Sequence, residues 1–134
     1  MTKKVEKKSS EKFKICIVED DKMLGKYLLA SFQKEEGIDV QLAQNGNDGI
    51  ELIKEMKPDL VLLDVMMPIK NGFEVLEEVR QEKSLDKAKI IMLSNLSSKS
   101  DMDQAKKLKA YDFWTKVDMN TTEIVEKVKK ILSK

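Results

Sequence analysis

Histidine is absent from the 134-residue sequence, and cysteine occurs once, as Cys16. The first absence removes Ser-His-Asp and Cys-His catalysis, His-ligated metal sites and an internal phosphohistidine. The second removes an intrachain disulfide and any multi-cysteine zinc site. Cys16 itself lies in the apolar run Ile15-Cys16-Ile17-Val18, where a buried, inert thiol is expected. No G-x-G-x-x-G pattern follows the first strand, so a dinucleotide-binding domain is not indicated. No apolar run approaches the ~20 residues of a membrane span, and the Lys-rich N-terminus lacks the apolar stretch of a signal peptide. A cytoplasmic protein with no membrane association is therefore expected.

What remains is one domain's worth of chain, with 41% apolar and 37% charged residues. That balance suits a small domain whose helices carry charged outer faces. The charge is uneven. Residues 1–12 hold five Lys and two Glu, net +3, while the rest carries 20 basic and 22 acidic residues, net −2. The first segment has too few apolar groups to fold and reads as a flexible basic tail. The body lacks the basic excess of a nucleic-acid binder. Residues 13–134 are the expected folded domain, with no DNA-binding or other effector domain expected after its last helix.

From Phe13 onward short β-rich runs alternate with helical periods. Phe13–Val18, Ile38–Ala43, Leu60–Leu63, Lys89–Leu93 and Ala110–Thr115 read as strands. Leu60-Val61-Leu62-Leu63 is continuously apolar, the sign of a strand covered on both faces. Between the strands, Met23, Leu24, Tyr27, Leu28 and Phe32 recur at helical spacing, as do Ile50, Ile53 and Met56, and then Phe73, Leu76 and Val79. A polar helix is centred on Met102, Ala105 and Leu108, and Asn120-Thr121-Thr122-Glu123 opens a last helix as a capping box. Five strands alternating with five helices predict an α/β fold, a parallel sheet covered on both faces.

In such a sheet, function gathers at the carboxyl ends of the strands. The first strand leads into Glu19-Asp20-Asp21, the third into Asp64, the fourth into Ser94 and the fifth into Lys116. If the strand order is 2-1-3-4-5, strands one and three are neighbours and their acids converge. Converging carboxylates repel unless a cation or a proton intervenes. Without His or a second Cys the ligands are oxygens, which suit a hard cation such as Mg²⁺. Asp21 is expected to cap the first helix, and Asp20 to face the metal. Asp64 follows four apolar residues and has no helix directly after it to cap. Its carboxylate therefore needs compensating charge, which Lys116 can supply.

Together, Ile17-Val18-Glu19-Asp20-Asp21, Leu62-Leu63-Asp64-Val65-Met66-Met67-Pro68 with Gly72, Leu93-Ser94, and Phe113 followed by Lys116 resemble the receiver domain of two-component response regulators. The resemblance covers Phe13 to Leu132. It implies a flavodoxin-like fold, with Asp64 as phosphoacceptor and Mg²⁺ organised by Glu19, Asp20, Asp64 and the main-chain carbonyl of Met66. It further implies that Ser94 hydrogen-bonds the phosphoryl group, that Lys116 pairs with it, and that Phe113 repacks when the Ser94 hydroxyl moves. The expected partners are a sensor histidine kinase or phosphotransfer protein as donor, and a downstream protein reading the fourth helix, fifth strand and fifth helix.

This sequence departs from the family pattern at Asn95 after Ser94, at Val117 where Pro commonly follows Lys116, and at Lys109 where Gly usually precedes Ala110. Met66 and Leu96, both apolar, stand where the family's side chains flank the line of attacking water, which predicts slow self-dephosphorylation. The resulting expectation is a phosphorylation-driven switch, not an enzyme beyond self-phosphorylation and self-dephosphorylation. A phosphate-independent binding module is the alternative. An aspartyl-phosphate phosphatase is disfavoured because such enzymes place an Asp where Met66 stands.

Overall fold

A computed structural model describes residues 12–95 and 98–133. The expected basic tail therefore lies, except for Lys12, outside the described residues, as does Leu96.

The strands are β1 (Phe13–Val18), β2 (Ile38–Ala43), β3 (Leu60–Asp64), β4 (Lys89–Ser94) and β5 (Asp112–Thr115). The helices are α1 (Lys22–Gln33), α2 (Gly46–Met56), α3 (Gly72–Arg80), α4 (Lys99–Lys107) and α5 (Thr121–Leu132). Single 3₁₀ turns occupy Lys83–Leu85 and Lys116–Asp118. All strand pairings are parallel, in the order β2-β1-β3-β4-β5. The parallel sheet is the one the alternation of elements predicts, and its order is the flavodoxin-like arrangement that the family resemblance implies.

Strand side chains alternate between two cores. On β1, Ile15 and Ile17 join Leu28, Phe32, Val128 and Leu132 beneath α1 and α5. Cys16 and Val18 join Ile53, Leu76, Val79 and Ala105 on the side of α2, α3 and α4. Every residue of β3 is buried, as its unbroken apolar run predicts. Cys16 is fully enclosed, and burial pushes its thiol up to about 12, so it is inert.

Four boundaries differ from the sequence expectation. Strand β5 begins at Asp112 rather than Ala110, because Ala110 is taken up in closing α4: its N–H donates to the Ala105 carbonyl at 2.9 Å. Strands β3 and β4 each run one residue past their apolar stretch, so Asp64 and Ser94 lie inside the ladder. Lys116 opens a 3₁₀ turn instead of ending a strand. The capping expectations hold. Asp21 accepts from the N–H groups of Met23 and Leu24, both at 3.1 Å, and Asn120 and Glu123 form a reciprocal capping box.

Candidate functional site

Register brings the polar residues together. Val18 pairs with Leu63, so Glu19 follows β1 beside Asp64; Asp64 pairs with Leu93, and Ser94 stands one residue beyond it at the end of β4. All three are buried, at 1%, 3% and 3% exposure. Carboxylate oxygens of Glu19, Asp20 and Asp64 lie within 4.8 Å of one another. Lys116 enters from the β5–α5 connection, with its ammonium 2.7 Å from Glu19 Oε1 and 3.1 Å from Asp64 Oδ1.

The electrostatics follow from this crowding. Burial, reinforced by the neighbouring acids Glu19 and Asp20, pushes the Asp64 carboxyl up to about 8 despite the opposing pull of Lys116. For Lys116, burial disfavours the charge, but the hydrogen bond to Glu19 and the negative field of Asp64 outweigh it and hold the ammonium above its usual range. Glu19 Oε1 is completely buried with the Lys116 ammonium 2.7 Å away as its counter-charge, and Glu19 Oε2 accepts from the Asp21 N–H at 3.2 Å. Three carboxylates within 4.8 Å of one another, facing a single ammonium, form an all-oxygen donor set that fits a small hard cation such as Mg²⁺.

The loop after Asp64 is shaped around the same group. The Met66 N–H donates to Asp64 Oδ1 at 3.3 Å, which puts the Met66 main chain beside the carboxylate while its side chain stands exposed. Gly72 N–H bonds the Val65 carbonyl at 2.9 Å, and a Cβ on Gly72 would overlap the Asp64 carbonyl oxygen. Between them, Lys70 N–H closes on the Pro68 carbonyl at 2.7 Å around Ile69, whose φ is 70°. This is a γ-turn of the strained, positive-φ kind.

The structure thus unites the predicted Glu19, Asp20, Asp64 and Lys116, with the Met66 main chain against Asp64 and Ser94 buried on the adjoining strand. Phe113 lies apart from the carboxylates, half-buried and packed toward α4 on the α2–α3–α4 side of the sheet. Asn95 is exposed. Sequence reasoning missed the Glu19–Lys116 pair, the closer of the two contacts that Lys116 makes. It also missed the γ-turn, for which a β-branched Ile gives no signal.

The sequence profile of the response regulator receiver domain matches residues 15–129. The chain belongs to this family. The BeF3-activated N-terminal receiver domain of Klebsiella pneumoniae RstA is similar, at 29% identity and TM-score 0.78, covering 90% of this chain and 99% of that one. So is the signal receiver domain of NarL from Mycobacterium tuberculosis, at 27% identity and TM-score 0.79, over 91% and 97% of the two chains. Chemotaxis protein CheY4 of Vibrio cholerae shares the fold at TM-score 0.82, with 22% identity over 90% and 98%. Receiver domains are regulatory modules of two-component, phosphorylation-dependent signalling, not typical enzymes. They bind Mg²⁺ at an acidic pocket and interact with histidine kinases or phosphotransfer proteins and with downstream targets. Among the described residues no helix is long and apolar enough to cross a membrane.

Proposed function

We propose that this receiver, formed by residues 13–134, takes a phosphoryl group on Asp64 from a histidine kinase or phosphotransfer protein in the cytoplasm. The observation that carries the reading is the buried Asp64 carboxylate, hemmed in by Glu19 and Asp20 and touched by the Lys116 ammonium. A carboxylate oxygen attacks the phosphorus of a phosphohistidine; the P–O bond forms as the P–N bond breaks, and the imidazole leaves with a proton. Lys116 neutralises charge on the transferred group, and Ser94 donates its hydroxyl to a phosphoryl oxygen. Glu19, Asp20, Asp64 and the Met66 carbonyl would hold Mg²⁺, which when bound supplies charge neutralisation for carboxylate and phosphoryl oxygens.

The output is a change in the surface formed by α4, β5 and α5, reached through Ser94 and Phe113 and read by a downstream protein. Phe113 packs against the core that contains Ala105, the buried residue of α4, so its repacking is felt by that helix. A new hydrogen bond at Ser94 biases one of two packings. The exposed Asn95 weighs against a phosphate-independent module whose pocket that side chain fills. The test is intact mass after acetyl phosphate with Mg²⁺. The wild type gains one phosphoryl group and Asp64→Asn gains none; an equal gain in both proteins would remove Asp64 from its role.

A further inference from the structure

Helix α4 is held unlike its neighbours. It buries one residue, Ala105, where α2 and α5 each bury five. Hydrophobic attachment scales with the apolar area removed from water, so one methyl group fastens α4 weakly along its length. Its C-terminal end is closed firmly. Lys109 sits in the left-handed region at φ 69°, the Ala110 N–H bonds the Ala105 carbonyl at 2.9 Å, and the Lys109 N–H bonds the Lys106 carbonyl at 3.0 Å. This is a Schellman-type closure made with Lys where Gly is usual.

Left-handed backbone is unfavourable for a residue with a Cβ, and the partner that holds it comes from α3. Arg80, the last residue of α3, points its guanidinium at the Lys109 carbonyl from Nε (3.2 Å) and Nη2 (3.1 Å). The same group donates from Nη1 to the Leu85 carbonyl at 3.1 Å and from Nη2 to the Ala88 carbonyl at 2.8 Å. The segment from Leu85 to Ala88 is anchored in turn, because the next residue, Lys89, starts β4 and bonds the Asp59 carbonyl at 3.0 Å. One planar fork therefore ties the end of α4 to the amino edge of the sheet. Lysine cannot reproduce that fork.

We propose that Arg80 is a positioning residue that pins the C-terminal end of α4, so that α4 swings about Lys109 when the receiver is activated. The opposite end is the one on the Ser94 side, and there Ser98 caps the helix by accepting from the Asp101 N–H at 3.0 Å. A swing of this kind reshapes the cavity of about 230 Å³ between α4 and β5, lined among others by Met102, Ala105, Tyr111 and Phe113. A shift of the whole helix would instead have to break the Arg80 contacts. The swing rests on the phosphoacceptor reading above; the pin does not.

Amide hydrogen exchange on the full chain, with and without beryllofluoride and Mg²⁺, tests both parts. In the wild type, beryllofluoride is expected to change exchange at residues 98–103 and leave 107–111 unaltered. Arg80→Lys keeps the charge and loses the fork. Without any ligand it should speed exchange at 107–111 roughly tenfold or more, the worth of a hydrogen bond to a charged group. With beryllofluoride its response should spread along all of α4. Lys109→Gly keeps the main-chain carbonyl and should behave as wild type. Unchanged basal exchange in Arg80→Lys overturns the pin, and a uniform wild-type response along α4 overturns the swing. No beryllofluoride response at residues 64–70 sinks the phosphoacceptor reading and the swing with it, while the basal measurement still decides the pin.

Discussion

Strands β1, β3 and β4 change character within two or three residues of their carboxyl ends. Ile17, Leu62 and Ile91 in the middle of the sheet are fully buried and apolar; Glu19, Asp64 and Ser94 at its edge are almost equally buried and polar. In the middle, removing side chains from water is the driving force. At the edge the same removal penalises the ionised form, and Lys116 offsets only part of the penalty. The centre supplies stability, and the edge holds groups whose charge is balanced only by one another.

The largest break in this comparison comes from the centre. Leu62→Ala removes a fully buried side chain and should cost about 2–5 kcal/mol in urea denaturation. The surviving folded protein should still take up phosphate from acetyl phosphate. Loss of uptake with stability intact would mean that the two regions are not separable.

At the edge the sign reverses. Asp64 keeps its proton in the folded protein up to pH about 8 but releases it near pH ~4 once unfolded. Between those values the unfolded state binds fewer protons, so the stability contributed by this group is lost as pH rises toward 8. In buffer free of divalent cations, Asp64→Asn should therefore be more stable than wild type at pH 8. The gap should shrink toward pH 5. Added Mg²⁺ should narrow it as well, by binding the wild-type carboxylates preferentially. An Asp64→Asn protein less stable than wild type at pH 8 would show that the edge adds to stability after all.

The smallest effect concerns signal lifetime. Met66 stands next to Asp64 with its side chain 70% exposed, so replacing it should leave stability nearly unchanged. Met66→Asn offers a group that can orient water, and dephosphorylation should accelerate up to about tenfold, or ~1.4 kcal/mol of barrier. Phosphate release from the isolated phosphoprotein measures it, and identical decay would exclude this side chain from setting the lifetime.

Much of this was legible in the chain itself. Apolar periodicity located β1 and β2 to the residue, and the helix-start residues Asp21 and Asn120 behave as their chemistry predicts. These features are local, and neighbouring residues suffice to decide them. Alternation implies a parallel sheet whose strands all deliver their carboxyl ends to one edge; that β1 and β3 are neighbours there, so that Glu19, Asp20 and Asp64 converge, followed only with the strand order implied by the family resemblance.

Other features depend on which distant segments meet. Lys116 approaches Glu19 more closely than Asp64, and that distance is set by how the β5–α5 turn crosses the site. Ala110 reads as a strand residue by composition, yet the closure of α4 claims its N–H, and Arg80 holds the carbonyl of the residue before it. The order of elements and the chemistry of the edge were thus determined by sequence alone, through side-chain period and residue type. The pairing of its charges and the anchoring of α4 were decided only in the folded molecule, because hydrogen bonds and ion pairs act over a few ångströms between groups tens of residues apart.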